Sequence, residues 1–230
     1  MGHGLDAAGP LSNRARAFLN AYARWVTVDP GPGDEECRAA MTAALGYCDE
    51  DALTALRRIQ HRYSGLTYRS PLRASEIVVE PVFDVDPDER LIRFDHAVSD
   101  TAPDGCRYGL LHPDGTLWFG FLETHVPAFP SLEHFLECDA LLHHAHRQDL
   151  RSTEAPTDAT AHRELLLGSH PKLRRLDTAS GSCVEWWTDD EHLVFYDGLA
   201  GRLAADGRGA SRAPTTVLTW RLDAPVTSAA

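Results

Sequence analysis

The chain contains a single lysine, Lys172, and no basic run longer than a pair of arginines. Contacts to phosphates need clustered Lys and Arg, so binding to nucleic acid is not expected. No apolar run approaches the ~18 residues of a membrane span. The N-terminus lacks the basic region and apolar stretch of a secretory signal. A cytoplasmic protein with no membrane partner is the expectation. The five cysteines, Cys37, Cys48, Cys106, Cys138 and Cys183, include no C-x-x-C pair. That excludes a zinc ribbon and a dithiol redox motif, and points to free thiols in a reducing compartment. The nucleophile elbow G-x-S-x-G, the phosphate loop G-x-x-x-x-G-K-[ST] and the zinc motif H-E-x-x-H are also missing. Neither an enzyme nor a cofactor is therefore expected.

What is present is acid and apolar bulk. The 230 residues carry 34 acidic and 22 basic side chains, a formal net charge of −12, with 43% hydrophobic residues. That is enough apolar material for a substantial core without disulfides or metal. The field of such a protein attracts a basic partner and speeds encounter with it.

Along the chain, the spacing of Ala15, Phe18, Leu19, Tyr22 and Trp25 predicts a helix over residues 12–25. The run Asp29-Pro30-Gly31-Pro32-Gly33 breaks it. A second helix is predicted over 34–45, with Gly46 at its C-terminus, and a third over about 50–63, capped by Asp49 or Asp51. Past Pro71 the pattern turns to short strands at 77–79, 82–83, 91–94, 107–111 and 116–121. His112-Pro113-Asp114-Gly115 forms the hairpin turn between the last two. A helix opened by Pro130-Ser131 follows to about 147. Residues 151–160 read as a linker or long loop, 164–167 as a short helix, and 183–187, 193–196 and 215–222 as strands, with a mobile connection at 198–211. The order implies an α+β fold: a mixed or antiparallel sheet flanked by helices. A core of residues 1–150 is expected to carry a strand-rich C-terminal extension, 161–230, packed on the same domain.

Two segments resemble the SUKH superfamily. One is Leu56-Arg57-Arg58-Ile59-Gln60-His61-Arg62-Tyr63-Ser64-Gly65-Leu66, a helix passing through a small-residue turn into a sheet. The other is Gly115-Thr116-Leu117-Trp118-Phe119-Gly120 followed by Ser131-Leu132-Glu133-His134-Phe135-Leu136-Glu137, an aromatic strand and the helix that closes the core. The resemblance covers roughly residues 50–142. Members are mostly bacterial immunity proteins that neutralise a cognate polymorphic toxin, often a nuclease or deaminase, and fungal members act as regulatory scaffolds. The resemblance therefore implies binding without turnover and assigns no catalytic residue.

An acidic interface fits that implication. Asp84, Asp86, Asp88 and Glu89 form one dense patch and Asp189, Asp190 and Glu191 another, both expected in loops, where binding surfaces concentrate. Of Trp186 and Trp187, adjacent strand residues that face opposite ways, one is expected in the core and the other outward as an interface anchor; Trp187 is assigned the outward place. A rival reading is a metal-dependent enzyme. On a helix, Asp139, His143 and His146 fall within about 40° of one another, a carboxylate and two imidazoles suited to Zn²⁺ or a related cation. A third reading is a non-enzymatic regulatory scaffold.

Overall fold

The computed structural model describes residues 10–100, 108–121, 124–147, 159–199 and 216–222. Helix α1 (Asn13–Tyr22) starts where the Ser12 hydroxyl accepts a hydrogen bond from the Ala15 amide, satisfying a donor the helix itself cannot. It ends earlier than its apolar spacing predicts. Arg24–Trp25 is instead strand β1, paired antiparallel with β2 (Leu66–Ser70); sheet pairing overrides local helical preference. Helix α2 (Asp34–Leu45) has three acids in its first turn and ends at Gly46, whose φ is +83°, both favourable terminal arrangements. Helix α3 (Glu50–Tyr63) is capped by Asp49, which accepts from the Ala52 amide at 2.9 Å. Gly65, at φ +85°, then lets the chain pass against the Val26 carbonyl, which a Cβ would strike.

The main sheet is an antiparallel meander. After β2 come β3 (Ser75–Val78), β4 (Val82–Asp86), β5 (Leu91–Asp100), β6 (Tyr108–Leu111), β7 (Leu117–Phe121) and β8 (Thr124–Phe129). The strand order is β1-β2-β3-β5-β6-β7-β8, with β4 also on β5. Strands β3 and β4 follow each other along one side of β5, pairing with its far and near halves. The break between them falls at Pro81, which has no amide to give a ladder. Strand β5 runs well past residue 94, where its apolar signal fades, because both neighbours supply hydrogen bonds. Strand β8 escapes the sequence reading because Pro127 interrupts it; a proline fits there because β8 ends the sheet order.

Alternation sorts this sheet into two faces. Phe83, Ile92, Phe94, Leu111, Leu117, Phe119, Val126 and Phe129 are buried on one. Onto it packs helix α4 (Leu132–His146), with Phe135 meeting Phe119 and Phe129 edge-on at 5.4 and 5.7 Å. Ser131 caps this helix. Glu137, 4% exposed, ties α1 to it by accepting from the Ser12 amide and hydroxyl.

Helix α5 (Ala159–Ser169), strand β9 (Arg174–Arg175), a 3-10 turn at Asp177–Ala179, and strands β10 (Val184–Thr188), β11 (His192–Asp197) and β12 (Thr216–Arg221) complete the described chain. Residues 151–158 of the expected linker, and 200–211 of the expected mobile connection, lie outside the described residues. Strands β9 to β12 form a second antiparallel sheet in the order β12-β11-β10-β9. It joins the main body through the Ser182 amide, which donates to the Ala128 carbonyl on β8, and through Trp186, whose indole N–H donates to Cys138 of α4 at 3.2 Å. Trp186 stacks on Trp220 at 5.6 Å, both fully buried. One continuous buried cluster therefore contains α1–α4, the main sheet and the second sheet. The fold is α+β with antiparallel sheets. Among the described residues, no helix is long and apolar enough to cross a membrane.

Candidate functional site

Asp84 and Asp86 do not lie in a loop. They sit on β4, and cross-strand pairing brings Asp84 opposite Arg93 on β5. Phe83 and Val85 alternate with the two acids, so the segment is a half-buried strand with its acids on the outer face. Arg93 is the hub of that face. Its guanidinium lies 2.7 Å from Asp84, 3.5 Å from Asp86 and 3.3 Å from Asp95. Burial opposes its charge, but the three carboxylates together hold it more firmly protonated than an ordinary arginine. The Asp95 carboxyl is pushed up by burial and by neighbouring Asp84, against the pull of Arg93.

Beyond Asp86, the turn presents Asp88 and Glu89, both exposed. Asp86 organises it by accepting from their amides at 2.9 and 3.0 Å. The Glu89 amide in particular lowers the Asp86 pKa. One guanidinium facing three carboxylates, with two more acids on the turn, leaves the face negative.

Aromatic rings continue this face across β5 to β8. Strand β5 bulges between Phe94 and Val98, and His96 adopts φ +54° there, a strained conformation for a residue with a Cβ. The bulge turns His96 outward, with its ring 5.5 Å from Tyr108. Tyr108 meets His125 at 5.2 Å, and His112 meets Trp118 at 4.8 Å. His125 lies across Gly120, leaving no space for a Cβ there. Tyr108, His112, Trp118 and His125 are all half-buried. Burial lowers the His112 pKa and raises that of the Tyr108 hydroxyl, to which Asp95 adds. The result is an acidic strip beside a row of rings, on the sheet face opposite α4.

The second acidic patch stands on the other sheet. Asp189 closes the β10–β11 turn, accepting from the amides of Glu191 and His192 at 2.8 and 2.7 Å, while Asp190 and Glu191 point to solvent. Trp187, on β10, is half-buried, with the Arg163 guanidinium 5.8 Å from its ring and its indole N–H on Glu185. Trp186 takes the core position. The two acidic patches thus belong to different sheets, and the first is bordered by the rings of Tyr108, His112, Trp118 and His125. The bulge and the cross-strand register that align those rings leave no signal in residue spacing.

The helical trio Asp139, His143 and His146 does not form a metal site. Asp139 is fully buried and accepts from the Tyr68 hydroxyl (2.8 Å), the Ser70 hydroxyl (3.0 Å) and the Leu72 amide (3.0 Å). Desolvation raises its pKa to about 6 in spite of those donors. His143 packs instead against Phe18 and Tyr22 of α1, at 5.0 and 4.4 Å, and His146 against Trp220. A shared helical face is not a shared site, because each side chain meets a different neighbouring element.

A cleft of about 440 Å³ beside α3 and the start of α4 contains Arg58, Arg62, Glu133 and His134. Ser131 lies 3.0 Å from the His134 ring. Its hydroxyl also accepts from the His134 amide as the helix cap, so it has a structural task. Comparison with known proteins yields no matching family model, no similar curated protein and no similar solved structure.

Proposed function

We propose that the chain is an immunity-type binding protein of the SUKH kind. It occludes a basic protein, a cognate toxin, with the outer face of the main sheet and without turnover. The observation that carries this reading is the cluster of Asp84, Asp86 and Asp95 on a single arginine, bordered by Asp88 and Glu89 and by half-exposed Tyr108 and Trp118. Tyr and Trp are enriched at interface hot spots, and a rim of one charge sign speeds the encounter with a partner of the other. A partner lysine or arginine can take up the carboxylate oxygens that Arg93 leaves unfilled, and the net charge of −12 steers it inward. The resemblance described above supports the toxin as the kind of partner.

The test starts with capture of the partner from source cells by the tagged chain. Asp88→Lys with Glu89→Lys reverses the turn without touching the core. Association is expected to slow by about tenfold or more, and to lose its salt dependence, because charge steering acts on the on-rate. Trp118→Ala is expected to weaken affinity by about tenfold or more through faster dissociation. Partner binding and toxin neutralisation unchanged by all three substitutions would remove the proposed face. A captured partner that is not toxic to cells would remove the immunity role.

A further inference from the structure

We infer that His170, Asp189 and His192 form a binding site for a first-row divalent cation of the Zn²⁺ class. Among the described residues, these three side chains each offer one ligand atom, with all three atoms within 4.8 Å of one another. The imidazoles of His170 and His192 stand 4.6 Å apart, tilted by 51°. They converge from two elements: His170 directly follows α5, whereas Asp189 and His192 flank the β10–β11 turn. Two imidazoles and a carboxylate match the donor preference of Zn²⁺.

The turn prepares two of the ligands. Asp189 Oδ1 is held by the amides of Glu191 and His192, so the carboxylate is fixed without a cation and its other oxygen is the natural ligand. His192 Nδ1 lies 3.1 Å from Asp189 Oδ1. Nδ1 also lies 3.4 Å from Asp189 Oδ2, so the neutral ring with its proton on Nε2 offers Nδ1 as the ligand beside that oxygen. Tetrahedral zinc at about 2.0–2.2 Å from each donor requires donors about 3.3 Å apart. Modest rotation of the His170 ring closes the present spacing. All three residues are half-buried, which leaves the fourth position to water. The cation clips the end of α5 to the second sheet, where Leu166 already packs near Val194 and Val217. Asp190 and Glu191, exposed on the same turn, add attraction for the cation.

The site is tested with Zn²⁺ alone on the chelator-treated full-length chain, by calorimetry and by competition with a chromophoric chelator. One equivalent is expected to bind the native chain. His170→Ala and His192→Ala are each expected to weaken it by more than the roughly 10–100-fold that loss of an outer-shell contact costs. His143→Ala is expected to leave it unchanged. Co²⁺ in the site is expected to give the visible absorption of a tetrahedral complex, and that absorption is expected to disappear in the same two variants. His170→Gln, which keeps much of the side-chain volume, provides a second variant should alanine disturb the fold; circular dichroism reports on that directly. Absence of stoichiometric binding, or binding that survives loss of His170, overturns the site. Neither result bears on the acidic face of the main sheet, which is read by partner capture.

Discussion

The molecule contains two clusters of aspartates around an arginine, and they behave in opposite ways. The inner one lies on the helix-covered side of the main sheet. Arg73, in the β2–β3 turn, reaches Asp100 at 3.3 Å with side chains only 9% and 4% exposed, and its guanidinium lies 4.6 Å from the Phe119 ring centre. Asp139 and the half-buried Asp197 both feel its charge, while desolvation still raises their pKa values. The outer cluster, around Arg93, stays half-exposed on the opposite face. Inside, both Asp139 oxygens and one Asp100 oxygen are tied to other elements, so the acids fix how the β2–β3 turn, α4 and the sheet meet. Outside, water screens the charges, and the surplus of carboxylates remains available to a partner. Identical residue types become structural ties or exposed charge according to burial.

That contrast can be broken by substitution. Arg73→Ala is expected to have the largest effect, about 3–5 kcal/mol of stability in denaturant unfolding, because it leaves the Asp100 carboxylate buried without its partner. Arg93→Ala, the matching outer change, is expected to cost under about 1 kcal/mol. Equal losses for the two would erase the distinction. Asp139→Ala is expected to cost about 3 kcal/mol, since the Tyr68, Ser70 and Leu72 donors lose their acceptor and each stranded buried donor costs ~1–3 kcal/mol. Asp139→Asn, which keeps an acceptor for Ser70 and Leu72, is expected to cost less.

The pH dependence sharpens the same point. The Asp139 pKa is raised from 3.8 to about 6 in the fold, so between those values the folded state binds more protons than the unfolded one. Its contribution to stability is full below about pH 4 and lost as pH rises through 6. Asp139→Asn is expected to flatten that decline in unfolding measured from pH 4 to 7. A decline that persists in full would assign it to another group. The smallest stability effect is expected for Asp88→Lys with Glu89→Lys, within about 0.5 kcal/mol per site, although the proposed function gives this pair a large effect on association.

Much of the architecture was legible because its signals are local. Asp49, Ser131 and Gly46 mark helix ends through hydrogen bonds or φ values set within a few residues. The His112–Gly115 turn and the inward and outward places of Trp186 and Trp187 follow from turn chemistry and strand period. The errors fall where distant partners decide. Trp25 left its helix to pair with Leu66, Thr124–Phe129 became a strand around a proline, and Asp84 and Asp86 moved from a loop to a strand. The metal-capable group was sought along one helix, where periodicity is easy to see. The structure placed it between residues 19 and more apart in the chain, His170 with Asp189 and His192. The only local trace was an aspartate three residues before a histidine across a turn.

The ends of α1 and α5 apart, residue spacing and simple counts in the sequence were enough for the class of fold, the bounds of α2, α3 and α4, most of the strands and an excess of negative charge. These depend on neighbours within a turn or two and on simple counts. Only the tertiary structure decided which carboxylates are committed inside and which stand free outside. That choice rests on desolvation and on partners more than sixty residues away, such as Tyr68 and Ser70 for Asp139, and no spacing along the chain encodes it.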